Sequence, residues 1–132
     1  MMTLLRHSIG AFGFAILLFG TASPSFASDL HIGAATVDIT PERPVALAGQ
    51  MHTRISKQAT TPIFVTAIAL ESRDGDQVLD QAIMISCDLV AIRKGIIEMV
   101  REKAKDKIPG FDLNKLFLNA THTHTAPVTT ED

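Results

Sequence analysis

Between Gln77 and Ala120 the sequence leaves the backbone few options. Gln77–Cys87 reads as a strand, and Ala91–Lys107 carries Ile92, Ile96, Ile97, Val100 and Ala104 at spacings that place them on one stripe of a helix. Pro109-Gly110 stops that helix, and Lys115–Ala120 reads as a second strand. Strand, helix and strand with short joints form a right-handed βαβ unit, so the two strands are expected to run parallel as near neighbours. Parallel strands end on one edge of the sheet, and that edge is where open α/β sheets bind ligands. Asp88 leaves the first strand there, and His122 and His124 leave the second. An acid and two histidines are therefore expected to converge.

The residues before this unit supply more sheet. Leu30–Val37 alternates moderately and runs into the punctuating Asp38-Ile39-Thr40-Pro41. A connection from Glu42 to Pro62 follows, and at about twenty residues it exceeds most structural loops, a length typical of functional or disordered segments. Ile63–Glu71 is apolar on both faces, which belongs in the middle of a sheet. Arg73-Asp74-Gly75-Asp76 is a hairpin signal leading into Gln77–Cys87. The fold class expected is α/β: a mixed sheet with a hairpin and one right-handed βαβ unit, in an incomplete domain.

The first 27 residues are read apart from that fold. Arg6 and His7 open the chain without an acidic residue, an uncharged run spans Ser8–Phe26, and Ser25-Phe26-Ala27 ends it with small residues at two key positions. A basic start, short apolar middle and small-x-small exit make a secretory signal, so residues 1–27 are expected to be cleaved after Ala27 in a secreted or periplasmic protein. Gly10, Gly13, Gly20 and Pro24 break the stretch too often for a stable membrane span. Residues 28–132 are enough for one small domain. That part is one charge more negative than the whole-chain value of −2, because Arg6 is the only charged residue it loses. With no basic stripe, nucleic acid is not expected as a partner, and no protein partner is indicated. The single cysteine, Cys87, reads as a small buried apolar residue.

Chemistry concentrates in Thr121-His122-Thr123-His124. Two residues apart on an extended segment, the rings point the same way; where the chain turns, they diverge. Neutral imidazole is the commonest metal ligand, and Zn²⁺ suits nitrogen and oxygen donors with one position left for water. Polar loop residues satisfied by local hydrogen bonds are the alternative for this pair. Asp88 is placed to N-cap the following helix, and Asp38 to form an Asx turn. Asn119-Ala120-Thr121 matches a glycosylation sequon at what should be a buried strand end. No Gly-rich phosphate loop, Gly-x-Ser-x-Gly elbow or paired cysteine motif is present.

The order of segments resembles the N-terminal domain of the neutral/alkaline non-lysosomal ceramidases. It opens with Ile32-Gly33-Ala34-Ala35-Thr36-Val37-Asp38-Ile39-Thr40, followed by a hairpin and a strand ending in Cys87-Asp88-Leu89. A helix comes next, then Leu118-Asn119-Ala120-Thr121-His122-Thr123-His124. The resemblance covers essentially all of residues 28–132, and Thr-His-Thr-His is its most specific piece. It implies that His122 is a zinc ligand and that His124 is a catalytic neighbour lining the substrate site. The implied reaction is cleavage of an N-acyl sphingoid amide by a zinc-bound water. Its substrate is a lipid amide, which can be met at a membrane surface. The family's other histidine, glutamate and tyrosine ligands lie further along, so residues 28–132 read as the N-terminal portion of such a domain, inactive by itself. Where the family continues with Ser-Gly-Pro and a further glycine, this chain has Thr125-Ala126-Pro127-Val128, and Ala126 is expected to crowd the backbone. A non-catalytic exported domain that binds a ligand or metal, and another zinc hydrolase on the same scaffold, stay open as alternatives.

Overall fold

A computed structural model describes residues 28–129. The secretory-signal stretch Met1–Ala27 lies outside the described residues, as do the last three positions. Four strands, β1 (Asp29–Asp38), β2 (Phe64–Asp74), β3 (Gln77–Cys87) and β4 (Leu116–Ala120), form one sheet in the order β1-β2-β3-β4. The first three pair antiparallel, and β3 pairs parallel with β4. Helix α1 (Lys94–Lys105) joins the parallel pair, so the mixed α/β architecture with a hairpin and a βαβ unit is present as expected. No described helix is long and apolar enough to cross a membrane.

Local chemistry explains the turns. The β2–β3 hairpin reverses at Gly75-Asp76, and Gly75 adopts φ 57°, a left-handed conformation that glycine enters without a Cβ penalty. Asp38 closes its Asx turn by accepting from the Thr40 N–H at 2.8 Å, and the Thr40 hydroxyl accepts from Ile63 N–H at 2.9 Å. That second bond closes the long connection onto the sheet.

The helix begins later than its sequence pattern suggests. It starts at Lys94 instead of Ala91, and its N-cap residue Arg93 makes no side-chain capping bond. Asp88 does not cap it. Its Oδ2 accepts from the Phe64 N–H at 2.9 Å, and its own N–H donates to the Phe64 carbonyl at 2.9 Å. A carboxylate held by the first residue of β2 is not free for the helix, so residues 88–93 bend across the sheet edge before α1 starts.

Packing is one-sided. Side chains alternate across a strand, and the face bearing Cys87 and Leu116 lies towards α1: these two are 5% and 3% exposed, and the Arg101 guanidinium donates to the Leu116 carbonyl. Burial pushes the Cys87 thiol up, with the Asp88 carboxylate adding to the shift, so it stays a protonated core group. On the opposite face Ile32, Ile68, Met84 and Phe117 lie across the four strands and are all exposed. Strand β2 thus occupies the middle of the sheet as its two apolar faces require, but among the described residues cover is confined to one face and does not reach β1, all of whose residues are exposed. Asn119 shares the open face and is exposed, in contrast to the buried position expected for the sequon.

One largely exposed and one half-buried ion pair fasten the far end of the sheet. Lys115 pairs with Asp80, and Arg73 and Gln81 both hold Glu71. The Lys115 hydrogen bond lowers the Asp80 pKa first, and the Gln81 N–H second; for Glu71 the order is Arg73, then Gln81. A carboxyl whose pKa is lower in the folded chain stabilises the fold above its unfolded value, about 4. That contribution is lost as pH falls through the depressed folded value. The melting temperature should hold level down to about pH 5 and then fall, and the fall should be shallower in Asp80→Asn/Glu71→Gln. An unchanged acid limb in that variant would assign the loss to other groups.

Candidate metal centre

Strand β4 delivers the histidine segment to the edge where β3 ends. The Thr121 N–H extends the ladder to the Cys87 carbonyl at 2.9 Å, and its hydroxyl donates to Asp88 Oδ1 at 3.2 Å. The next residue leaves the strand abruptly. His122 has φ 63°, the only positive φ of a non-glycine residue among those described. Such a conformation costs on the order of 1–3 kcal/mol and persists where surrounding contacts over-determine it. Here the contact is a hydrogen bond from ring Nδ1 to the Val90 carbonyl, 2.8 Å, in the bend before α1.

His124 is held from the other side. Its Nδ1 lies 2.8 Å from the Gly49 carbonyl, and the Gln50 side-chain amide donates to its backbone carbonyl. Gly49 has φ 70°, and a Cβ there would stand 2.7 Å from His124 Nδ1. Only glycine allows the ring that close. The long connection is kept in place by short stretches of pairing between Ala46 and Ile55 and between Leu47 and Pro127. Ala48 N–H donates to the Ala126 carbonyl at 3.0 Å, and Val128 N–H to the Ala46 carbonyl at 2.9 Å. Ala126 is completely buried and Ala48 nearly so. Ala126, where the sequence led us to expect crowding, thus lies wholly inside this seam.

The two anchors decide the tautomers. A carbonyl oxygen can only accept, so each Nδ1 carries the proton and each neutral ring keeps its lone pair on Nε2. Those two Nε2 atoms stand 3.2 Å apart, with the rings edge to face at 74°. The turn at His122 therefore brings the rings together, where a turn was expected to spread them. Two lone pairs at that distance repel unless a cation or proton lies between them. In a tetrahedral zinc site with Zn–N of about 2.0–2.1 Å, two nitrogens are about 3.3–3.4 Å apart. Nδ1–H donated to a backbone carbonyl is also the usual outer-shell arrangement of a metal-ligating histidine. Both side chains are exposed, so the centre opens to solvent.

Asp88 shares the edge but not the centre. Both its oxygens are engaged, by Phe64 and Thr121, and no group of three His, Cys, Asp or Glu residues able to hold a metal occurs among those described. The donor set fits two positions of a zinc site and leaves the rest to other residues. Thr123 and Thr125, alternating with the histidines, line a cavity on the other side of the segment together with Asp88, and neither histidine lines it. Sequence reasoning missed Gly49, Gln50 and Val90. The only trace of Gly49 was a glycine in an unpatterned loop, and its partner lies 75 residues away. No protein-family model matches the chain, and no curated protein matches it.

Proposed function

We propose that residues 28–132 form the N-terminal part of an exported zinc-dependent amide hydrolase of neutral ceramidase type, with His122 as a zinc ligand and His124 as its catalytic neighbour. The observation that carries the metal is the 3.2 Å approach of two Nε2 atoms whose Nδ1 partners are both backbone carbonyls. The amide substrate, an N-acylsphingosine or related lipid, rests on the resemblance of the segment order and of Thr-His-Thr-His. When bound, zinc supplies a water activated near neutral pH and polarises the scissile carbonyl. In this reading Val90 fixes the His122 ring, and Gly49 fixes the His124 ring so that its unprotonated Nε2, 3.2 Å from His122 Nε2, can take and return a proton during turnover. The same 3.2 Å separation favours a second reading, in which both imidazoles are ligands and the proton carrier lies elsewhere.

Zinc needs about three protein ligands to hold a reactive water, and this segment offers two. The 132-residue chain is therefore expected to bind zinc weakly and to leave N-acylsphingosine intact. Zinc added to the protein should shift the imidazole resonances of His122 and His124 and leave exposed His31 and His52 unchanged. Unperturbed His122 and His124 in excess zinc would remove the basis for a metal centre, and amide hydrolysis by this chain alone would refute the argument from missing ligands.

A further inference from the structure

Behind the histidine segment lies a cavity of about 710 Å³ that the metal reading does not use. Its size falls within the roughly 300–1,000 Å³ range of small-molecule sites. Most of its wall is the 40–63 stretch, the connection too long for a purely structural join, closed on one side by Thr123, Thr125 and Pro127. Val45, Leu47 and Ile55 give it an apolar lining, and Ile55 remains 53% exposed although it belongs to this wall. An apolar side chain left that open beside a cavity has surface for a ligand to cover.

The charges at the cavity are unbalanced. Arg54 and Lys57 are its basic residues, and among the described residues neither takes part in an ion pair. Asp88 is the acid in the lining, and its two oxygens already accept from the Phe64 N–H and the Thr121 hydroxyl. With Arg54 and Lys57 against the one carboxylate of Asp88, which neutral donors already hold on the cavity wall, the recess carries a formal net charge of +1 in a chain of net charge −2, a local reversal of sign that favours anions. The arginine fork suits a carboxylate or phosphate, and the lysine adds a point charge.

We propose that this cavity binds a small amphipathic anion, its carboxylate or phosphate head held by Arg54 and Lys57 and its short apolar body against Val45, Leu47 and Ile55. The site is separate from the metal centre, since no histidine lines it, and it requires no zinc.

Calorimetric titration of the zinc-free protein with octanoate, octyl phosphate, octanol and octylammonium tests this. At least one of the two anions should bind, with octanol about tenfold weaker or more and octylammonium weaker still. Whichever anion binds more tightly identifies the head group. Arg54→Ala and Lys57→Ala should each weaken the anion by about tenfold, and Arg54→Glu/Lys57→Glu should turn the preference towards octylammonium. Both side chains are exposed, so circular dichroism of the variants should match the parent. Equal affinity for octanol and the anions overturns the proposal. So does undiminished anion binding in the single alanine variants, or no binding of either anion at millimolar concentration.

Discussion

If His122 ligates zinc as proposed, replacing it by asparagine should abolish zinc binding while leaving the backbone in place. Asparagine is among the few residues that tolerate a left-handed conformation, so the φ of 63° survives the change and only the imidazole is lost. Loss of an outer-shell partner alone takes 10–100-fold from metal affinity, so loss of a ligand should exceed about a hundredfold. His124→Ala discriminates between the two readings of the centre. If His124 moves a proton, zinc affinity should stay within about tenfold and turnover should fall by roughly 10²–10⁴. If it is a ligand, zinc is lost as in His122→Asn. The measurements are zinc content after dialysis and N-acylsphingosine hydrolysis, on a form of the protein in which the further ligands required by the proposed function are present. Stoichiometric zinc and normal turnover in His122→Asn would falsify the ligand assignment.

A methyl group at position 49 should damage both stability and metal binding. Gly49→Ala forces a residue with a Cβ to φ 70° and sets that carbon 2.7 Å from the His124 ring. The left-handed conformation costs about 1–2 kcal/mol, and overpacking typically about 1–3 more. A combined loss of roughly 2–5 kcal/mol would lower the melting temperature by at least about 8 °C in a domain of this size. The ring can escape only by abandoning the Gly49 carbonyl, which should weaken zinc by a further 10–100-fold. Gly33→Ala is the control, because nothing lies within 4 Å of a Cβ built there. Similar melting temperatures and zinc affinities for the two variants would mean that Gly49 positions nothing.

The sheet was legible because its signals are local. The two-residue turn at Gly75, the apolar stripe of α1 and the Pro109-Gly110 stop each depend on neighbours within a few positions, and together they give β2, β3, α1 and β4 in the observed order. The edge that carries Asp88 and His122 follows from parallel pairing alone. Errors arose where a side chain answers to a distant partner. Asp88 has the chemistry of a helix cap, but the unpaired N–H of Phe64, 24 residues earlier, competes for its carboxylate and wins. The convergence of the rings depends on a strained φ at His122 and on carbonyls from two other segments, none of which has a sequence signature. The 42–62 loop has weak periodicity for the same reason. Its order comes from a short bridge between Ala46 and Ile55 within the loop and from pairing with residues 126–128, neither of which leaves a periodic pattern.

The two ring anchors also bear on the order in which the molecule assembles. Val90 and His122 are 32 residues apart, whereas Gly49 and His124 are 75 apart. Chain-closure entropy grows as about (3/2)RT ln n, so bringing His124 to its anchor costs roughly 0.8 kcal/mol more than bringing His122 to its own. The hairpin and the βαβ unit can form before that closure; the seam of Ala48 and Ala126 cannot. His124 is therefore expected to take its final position late in folding, and its contact to be among the first to open when the native state fluctuates. An ion held by both imidazoles would bridge the Val90 bend and the Gly49 loop, converting binding energy into resistance to that opening. Hydrogen exchange at the Ala48 amide, which bonds to the Ala126 carbonyl, reports the same event.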